Sequence, residues 1–141
     1  MKVRQLIGSK SRTLYSVEPE DPVLEAIRQM ADQHVGALLV LKGTELQGII
    51  SERDYARKVI LHGRSSAETP VWQIMSSPVI TVSPEQNVQD CMKLMTERRV
   101  RHLPVVEDGK VIGMVSIGDL VKTVIEEQQQ TIEQLESYIH H

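Results

Sequence analysis

The feature that most constrains this 141-residue chain is an internal duplication. Residues 15–60 align with residues 80–125 at a constant offset of 65 positions, without a gap. Identities fall at Val17/Val82, Val23/Val88, Met30/Met95, Val40/Val105, Gly48/Gly113, Ser51/Ser116 and Asp54/Asp119, and most other pairs exchange like for like, as Ile27/Met92 and Ile49/Met114 do. A second echo precedes each copy: Val3-Arg-Gln-Leu-Ile7 resembles Val71-Trp-Gln-Ile-Met75 at an offset of 68. The first copy therefore holds three extra residues within Gly8–Thr13. Self-similarity at this period means two supersecondary units that bury their apolar faces on each other.

Each copy has the same grammar. Leu14–Val17 and Val79–Val82 are β-rich and stop before Pro19 and Pro84. A 3.6-residue period follows, Val23, Ala26, Ile27 and Met30 in one copy and Val88, Cys91, Met92 and Met95 in the other, which predicts a helix. Pro22 suits the first helical turn, where its missing N–H costs nothing. Ala37–Leu41 with Leu46–Ile50, and His102–Val106 with Val111–Val115, read as hairpins. The second turn, with Asp108-Gly109, is the stronger signal. A second helix is expected from Glu52 or Arg53 and from Ile117 or Gly118. The unit is β-α-β-β-α, giving an α/β (α+β) fold of two repeats around a pseudo-twofold axis with a C-terminal helical tail. One unit alone is small for a stable core. The expected division is residues 1–65 for the first repeat and its leader, 66–125 for the second, and 126–141 for the tail. The polar, Pro-terminated stretch His62–Pro70 is the linker.

In the tail, Ile125, Ile132 and Ile139 recur every seven residues, with Gln128 and Leu135 at the other seam position. Two heptads fall short of the three or four that define a coiled coil. Packing back on the chain's own body and pairing between copies both stand. No function is given to His140 and His141.

Composition removes several function classes. A net charge of −3 argues against a nucleic-acid surface, which is usually basic. Aromatics are 3% with no Phe, too few for base-stacking platforms. The lone Cys91 sits on a core-facing helical stripe, reads as a small buried hydrophobe and has no internal partner, which fits a reducing compartment. The absence of an apolar run long enough to span a bilayer, or of an apolar leader, makes no membrane contact and a cytoplasmic location the expectation. His34 and His62 have no partner at metal-ligand spacing. No base–nucleophile pair is legible, so catalysis is not expected. Trp72 reads as packing in the linker or at an interface, and Lys10, Arg12, Arg57, Lys58 and Arg64 as solvated charge.

The chemistry-bearing motif is the doubled Gly-h-h-Ser-x-x-Asp, where h is an apolar residue: Gly48–Asp54 and Gly113–Asp119. Its plain structural reading is a helix N-cap, with Ser accepting an N–H from the first turn and Asp at the third helical position. The functional reading uses the same place to meet a ligand, because a carboxylate there can accept both hydroxyls of a ribose. A glycine before it lets another segment approach closely.

The duplicated unit, with Gly-h-h-Ser-x-x-Asp at its end and Val-x-x-Leu-Pro-Val-Val in its middle, resembles a tandem pair of cystathionine-β-synthase (CBS) domains over residues 3–125. The stretch Ser51–Val59 further resembles small stand-alone CBS-pair proteins of the type labelled as related to inosine monophosphate dehydrogenase, whose catalytic barrel is absent here. The resemblance implies a regulatory module that binds adenosine compounds (AMP, ADP, ATP, NAD or S-adenosylmethionine) between its repeats and signals by a change of shape or assembly. Whether Mg2+ accompanies the ligand is left open. Carried to matching positions, it implies that Asp54 and Asp119 hold ribose, with Ser51 and Ser116 alongside. Tyr15 and Val17, or Ile80 and Val82, would flank adenine, with Ile49 and Met114 on the opposite wall. Arg101 and His102 would meet phosphate, making the repeat-2 site complete. Their counterparts Gly36 and Ala37 offer no charge, and Arg53 is the residue placed to compensate. A homodimer is expected, as is a regulated enzyme or transporter as partner. The rival reading is a dimerisation or protein-interaction module with vestigial clefts.

Overall fold

The computed structural model describes residues 1–8 and 14–139. Lys10, Arg12, His140 and His141 lie outside the described residues. The order of elements is α1 (Val3–Gly8), β1 (Ser16–Val17), α2 (Val23–Gln33), β2 (Ala37–Lys42), β3 (Glu45–Ser51), α3 (Glu52–Tyr55) running into a π-helical turn (Ala56–Ile60), a 3-10 turn (Val71–Gln73), α4 (Val88–Arg98), β4 (His102–Glu107), β5 (Lys110–Ser116) and α5 (Ile117–Ile139). The α/β character and the two-unit repeat are as the sequence predicts.

In the first repeat β1 pairs parallel to β2, with Val17 opposite Val40, and β2 pairs antiparallel to β3. The second repeat has β4 antiparallel to β5 in the equivalent register. Lys42 pairs with Glu45 and Glu107 with Lys110, so both hairpins close with two-residue loops. Asp108 and Gly109 both take positive φ, the conformation that a type I′ turn requires.

Two expectations are corrected. The predicted strand Val79–Val82 shrinks to one bridging residue. Val82 donates to the Pro104 carbonyl at 3.0 Å and accepts from Val106 N–H at 2.9 Å, while Val79 and Ile80 turn to a cleft instead. Pro22 is the N-cap of α2 rather than a residue of its first turn, with extended φ/ψ of −68° and 145°.

The chain has two hydrophobic cores, and each repeat's leader packs into the other repeat's core. Val3, Leu6 and Ile7 of α1 pack with Val88, Leu103, Val115 and Leu120, whereas Val71 and Ile74 pack with Val23, Val40 and Ile50. The backbone repeats the exchange. Val3 N–H donates to Gln86 and Val88 N–H to the Met1 carbonyl; at equivalent positions Val71 N–H donates to Asp21 and Val23 N–H to Thr69, all four at 2.8 Å. Pulling the repeats apart would therefore open both cores, so they fold as one interlocked body. Cys91 is a fully buried member of the second core, as expected.

The tail is not a separate element. Helix α5 runs unbroken from Ile117 to Ile139, burying Leu120 and Thr123 near its start. Beyond Val124 its apolar residues face away from the body, with Ile125, Ile132, Leu135, Tyr138 and Ile139 all exposed, while Glu127 still lies 3.9 Å from the N-terminal ammonium of Met1. The reading in which the tail packs back on its own chain is thus overturned. Trp72 is 48% exposed rather than packed in the linker.

Candidate functional site

The site starts from a close approach. Gly48 on β3 is buried, and a Cβ there would stand 2.7 Å from Met75 Sδ and 2.9 Å from the Ser76 carbonyl. Without that Cβ, Ile49 and Ser76 exchange backbone hydrogen bonds of 3.1 and 2.8 Å. This brings the leader of repeat 2 against the last strand of repeat 1, the close approach predicted for this glycine.

The chain following that contact forms one wall of a cleft of about 310 Å³, within the usual range for small-molecule sites. Its apolar side is formed by Ile49, Pro78, Val79, Ile80 and Val100. Its polar side holds Ser51, Glu52, Arg53 and Asp54 from repeat 1 and Arg99, Arg101 and His102 from repeat 2. The expected grouping by repeat is corrected: Arg101 and His102 face Asp54, Ser51 and Ile49 across the repeat boundary, and Arg53 shares their cleft. The physical reason is the crossed leader, which carries Ile80 and the second repeat up to the end of β3.

Asp54 is buried, and four donors surround its carboxylate. Oδ2 accepts from the Ser51 N–H and hydroxyl, each at 3.0 Å. Oδ1 accepts from the Ser76 hydroxyl at 3.2 Å and lies 3.2 Å from Lys58 Nζ. Asp54 N–H in turn donates to Ser51 Oγ at 3.1 Å, closing a capping box. The structural reading of the motif is therefore realised, and any ligand role is an additional use of the same group. Lys58, expected to be free surface charge, also donates to the Ile74 carbonyl at 2.9 Å. Asp54, Lys58 and Ser76 together tie the repeat-2 leader to repeat 1.

His102 is half-buried between the repeats. Burial pushes its imidazole below its ordinary pKa; Asp119 and Glu52 oppose that shift and Arg101 adds to it. Gly36 lies beside the imidazole: a Cβ there would stand 3.8 Å from His102 Nε2, an ordinary van der Waals contact. Arg53, Arg99 and Arg101 are exposed, and none forms an ion pair among the described residues.

The remaining predicted residues lie elsewhere. Val17 and Val82 are 6% and 3% exposed in the two cores, where pairing to Val40 and Val105 holds them, and neither lines the cleft. Tyr15 packs against the first core and Met114 lies opposite Pro104 in the second hairpin. Ser116 and Asp119 repeat the cap at the start of α5, with Asp119 N–H donating to Ser116 Oγ at 3.1 Å and Ser116 N–H to Asp119 Oδ2 at 3.2 Å.

Sequence reasoning missed Arg99, Ser76 and Pro78. Arg99 carried a usable signal: it ends α4 in the left-handed region at φ 56°, matching His34, and it belongs to the basic run Arg98-Arg99-Val-Arg101-His102. Ser76 carried none, because only the crossed leader brings it to Asp54. Among the described residues, no group of three His, Cys, Asp or Glu is placed to hold a metal ion.

The doubled βαββα unit, the crossed leaders and the inter-repeat cleft define a paired regulatory architecture, and the chain belongs to the CBS-domain family, whose profile matches residues 3–61 and 71–126. Pairs of CBS domains are in general regulatory units rather than catalytic ones. The mitochondrial CBS domain-containing protein CBSX3 of Arabidopsis thaliana is 48% identical over 125 residues, 85% of this chain and 61% of that protein, so the chain spans about three fifths of its length. A solved CBS-domain protein from Burkholderia ambifaria is 51% identical with a TM-score of 0.88, covering 91% of this chain and 96% of that one. The CBS domain protein of Pyrobaculum aerophilum, solved in complex with AMP, shares the fold at a TM-score of 0.75 and 24% identity, over 84% of this chain and 89% of its own. Among the described residues, no helix is long and apolar enough to cross a membrane.

Proposed function

We propose that the cleft between the repeats binds an adenosine nucleotide (AMP, ADP, ATP or NAD) and that occupancy is read out as a change in shape or assembly. One observation carries this reading: three guanidiniums without ion-pair partners among the described residues, Arg53, Arg99 and Arg101, open onto the same cleft as an apolar slot and a buried carboxylate. An arginine fork matches a phosphate in bidentate fashion, Ile49 and Ile80 match the faces of a base, and Asp54 matches a ribose diol. The fold neighbour bound to AMP is consistent with this choice of ligand.

The carboxylate suggests how binding becomes a signal. A carboxylate offers about four acceptor positions, and those of Asp54 are already taken. A ribose hydroxyl must displace Ser76 or Lys58, the two groups through which Asp54 holds the repeat-2 leader. Binding thus exchanges an inter-repeat contact for a ligand contact, supplying the differential affinity for two states that a regulatory ligand needs. In this reading the protein works as a cytoplasmic homodimer that regulates an enzyme or transporter, and carries out no catalysis itself. A second, equivalent site at Ser116, Asp119 and Met114 belongs to the same proposal.

The test is thermal unfolding with each nucleotide. A ligand at 100 times its dissociation constant adds about 2.7 kcal/mol to native stability. No rise with AMP, ADP, ATP or NAD at millimolar concentration would defeat the proposal and leave the interaction module as the better reading.

A further inference from the structure

We infer that the exposed stripe of α5 is a self-association seam, on which a second copy of this chain pairs in parallel as a two-stranded coiled coil. The inference deepens the homodimer part of the proposed function and rests on it. The structure adds what two heptads in the sequence lacked. Because α5 begins at Ile117 without a break, Gly118 and Val121 join Ile125, Gln128, Ile132, Leu135 and Ile139 at alternating spacings of three and four. That makes three heptads on one helix, reaching the length at which a heptad pattern specifies a coiled coil.

The body of the protein does not use this stripe. Leu120 and Thr123 are buried and Val124 packs on the repeat-2 core, whereas Val121, Ile125, Ile132, Leu135 and Ile139 are between 39% and 75% exposed. At its root, Gly118, Val121 and Ile125 line an apolar hollow beside Ile117.

Residue choice identifies the occupant. Gly118, Ile125, Ile132 and Ile139 fall at one seam position and Val121, Gln128 and Leu135 at the other; in the last heptad Ile132 and Ile139 flank Leu135, the arrangement of β-branched and γ-branched residues that favours parallel dimers. Gln128 is the single polar residue inside the seam. In a parallel pair it meets its own copy and the two amides can bond; in an antiparallel pair it would be buried against an isoleucine. The flanking positions hold Val124, Thr131 and Tyr138 on one side and Lys122, Gln129 and Glu136 on the other, so no like charges meet across a parallel seam. Glu126, Glu127 and Glu133 point away from it.

The area suffices for pairing. Burying an aliphatic side chain of this size removes roughly 60–120 Å² from water. The five from each copy give roughly 600–1,200 Å² before the stems of the flanking residues are added, which reaches the lower range of specific interfaces.

The test is sedimentation velocity on the full chain at low micromolar concentration. The wild type is expected at twice the 15.9 kDa chain mass. Ile132→Glu, which places a charge in the seam without touching the body, is expected to raise the dimer dissociation constant about a hundredfold or more. Its AMP-induced thermal shift should match that of the wild type. Gln128→Cys is expected to cross-link to its own copy on mild oxidation, since Cys91 is fully buried and contributes nothing. A dimer that persists in Ile132→Glu, or a Gln128→Cys chain that stays uncross-linked, overturns the seam while leaving the nucleotide reading intact. A wild-type monomer throughout overturns both the seam and the homodimer. Loss of the AMP shift in both proteins, with dimer dissociation as expected, counts against the nucleotide site alone and supports the seam.

Discussion

Replacing Asp54 by Ala separates the two uses of the Ser-x-x-Asp motif. The side chain is 11% exposed and accepts from the Ser51 backbone and hydroxyl, the Ser76 hydroxyl and Lys58 at 3.0–3.2 Å. Losing the cap contributes about 1 kcal/mol of destabilisation. The Lys58 contact adds less than about 1 kcal/mol, because the lysine is 43% exposed and water screens it. The bond from Ser76 adds about another 1 kcal/mol, since its donor can rehydrate. The total is about 2–3 kcal/mol, and at this chain length 1 kcal/mol moves Tm by about 3–5 °C. Asp54→Ala should therefore unfold roughly 10 °C below the wild type in a thermal scan followed by far-UV circular dichroism. In calorimetry well below that transition, adenosine and AMP should both bind more weakly, because both carry the ribose. A Tm within 2 °C of the wild type would refute the account of this carboxylate as a structural hub. Unchanged adenosine affinity in a folded variant would refute its role in holding ribose.

Ser76→Ala frees one acceptor position on Asp54, so it should tighten adenosine binding severalfold in calorimetry while costing about 1 kcal/mol or less in a urea titration; weaker binding would mean that Ser76 itself contacts the ligand. Gly48→Ala should destabilise by about 1–3 kcal/mol, since its new methyl meets the Ser76 backbone carbonyl as well as the flexible Met75 side chain, and the urea midpoint reads the loss. His102 is held below its ordinary value of 6.5 chiefly by burial. The unfolded chain therefore takes up its proton first, and stability should fall as pH drops below about 6.5 until the folded-state pKa is passed. His102→Gln should flatten that part of the stability–pH curve; an unchanged slope would assign it to other groups.

The elements themselves were legible because their signals are local. The helical period from Val23 to Met30, the Asp108-Gly109 turn and the heptad isoleucines each act over a few residues, and each is where the pattern puts it. The gap-free offset of 65 also implied that the two copies share one architecture. What did not follow was which repeat supplies which wall of a cleft. That depends on α1 and Val71–Gln73 crossing to the opposite cores, and sequence adjacency suggested the reverse. Val17 and Val82 were misplaced for a related reason: alternation marks a strand, but not which of its faces meets core rather than ligand. Lys58 looked like ordinary surface charge, and only the close approach at Gly48 brings Ser76 to Asp54.

The central claim is that the arginine-lined cleft recognises the phosphate of a nucleotide. Its most direct test is calorimetric titration of the wild type and Arg101→Ala with AMP and with adenosine at fixed ionic strength. A charge-assisted bond to phosphate is about twice as strong as a neutral one, and Arg53 and Arg99 remain in the variant to share the anion. The expected result is AMP binding at least tenfold tighter than adenosine to the wild type, about tenfold weaker AMP binding to Arg101→Ala, and adenosine unchanged within twofold. Equal affinities of the wild type for AMP and adenosine, or equal losses for both ligands in the variant, would contradict the claim.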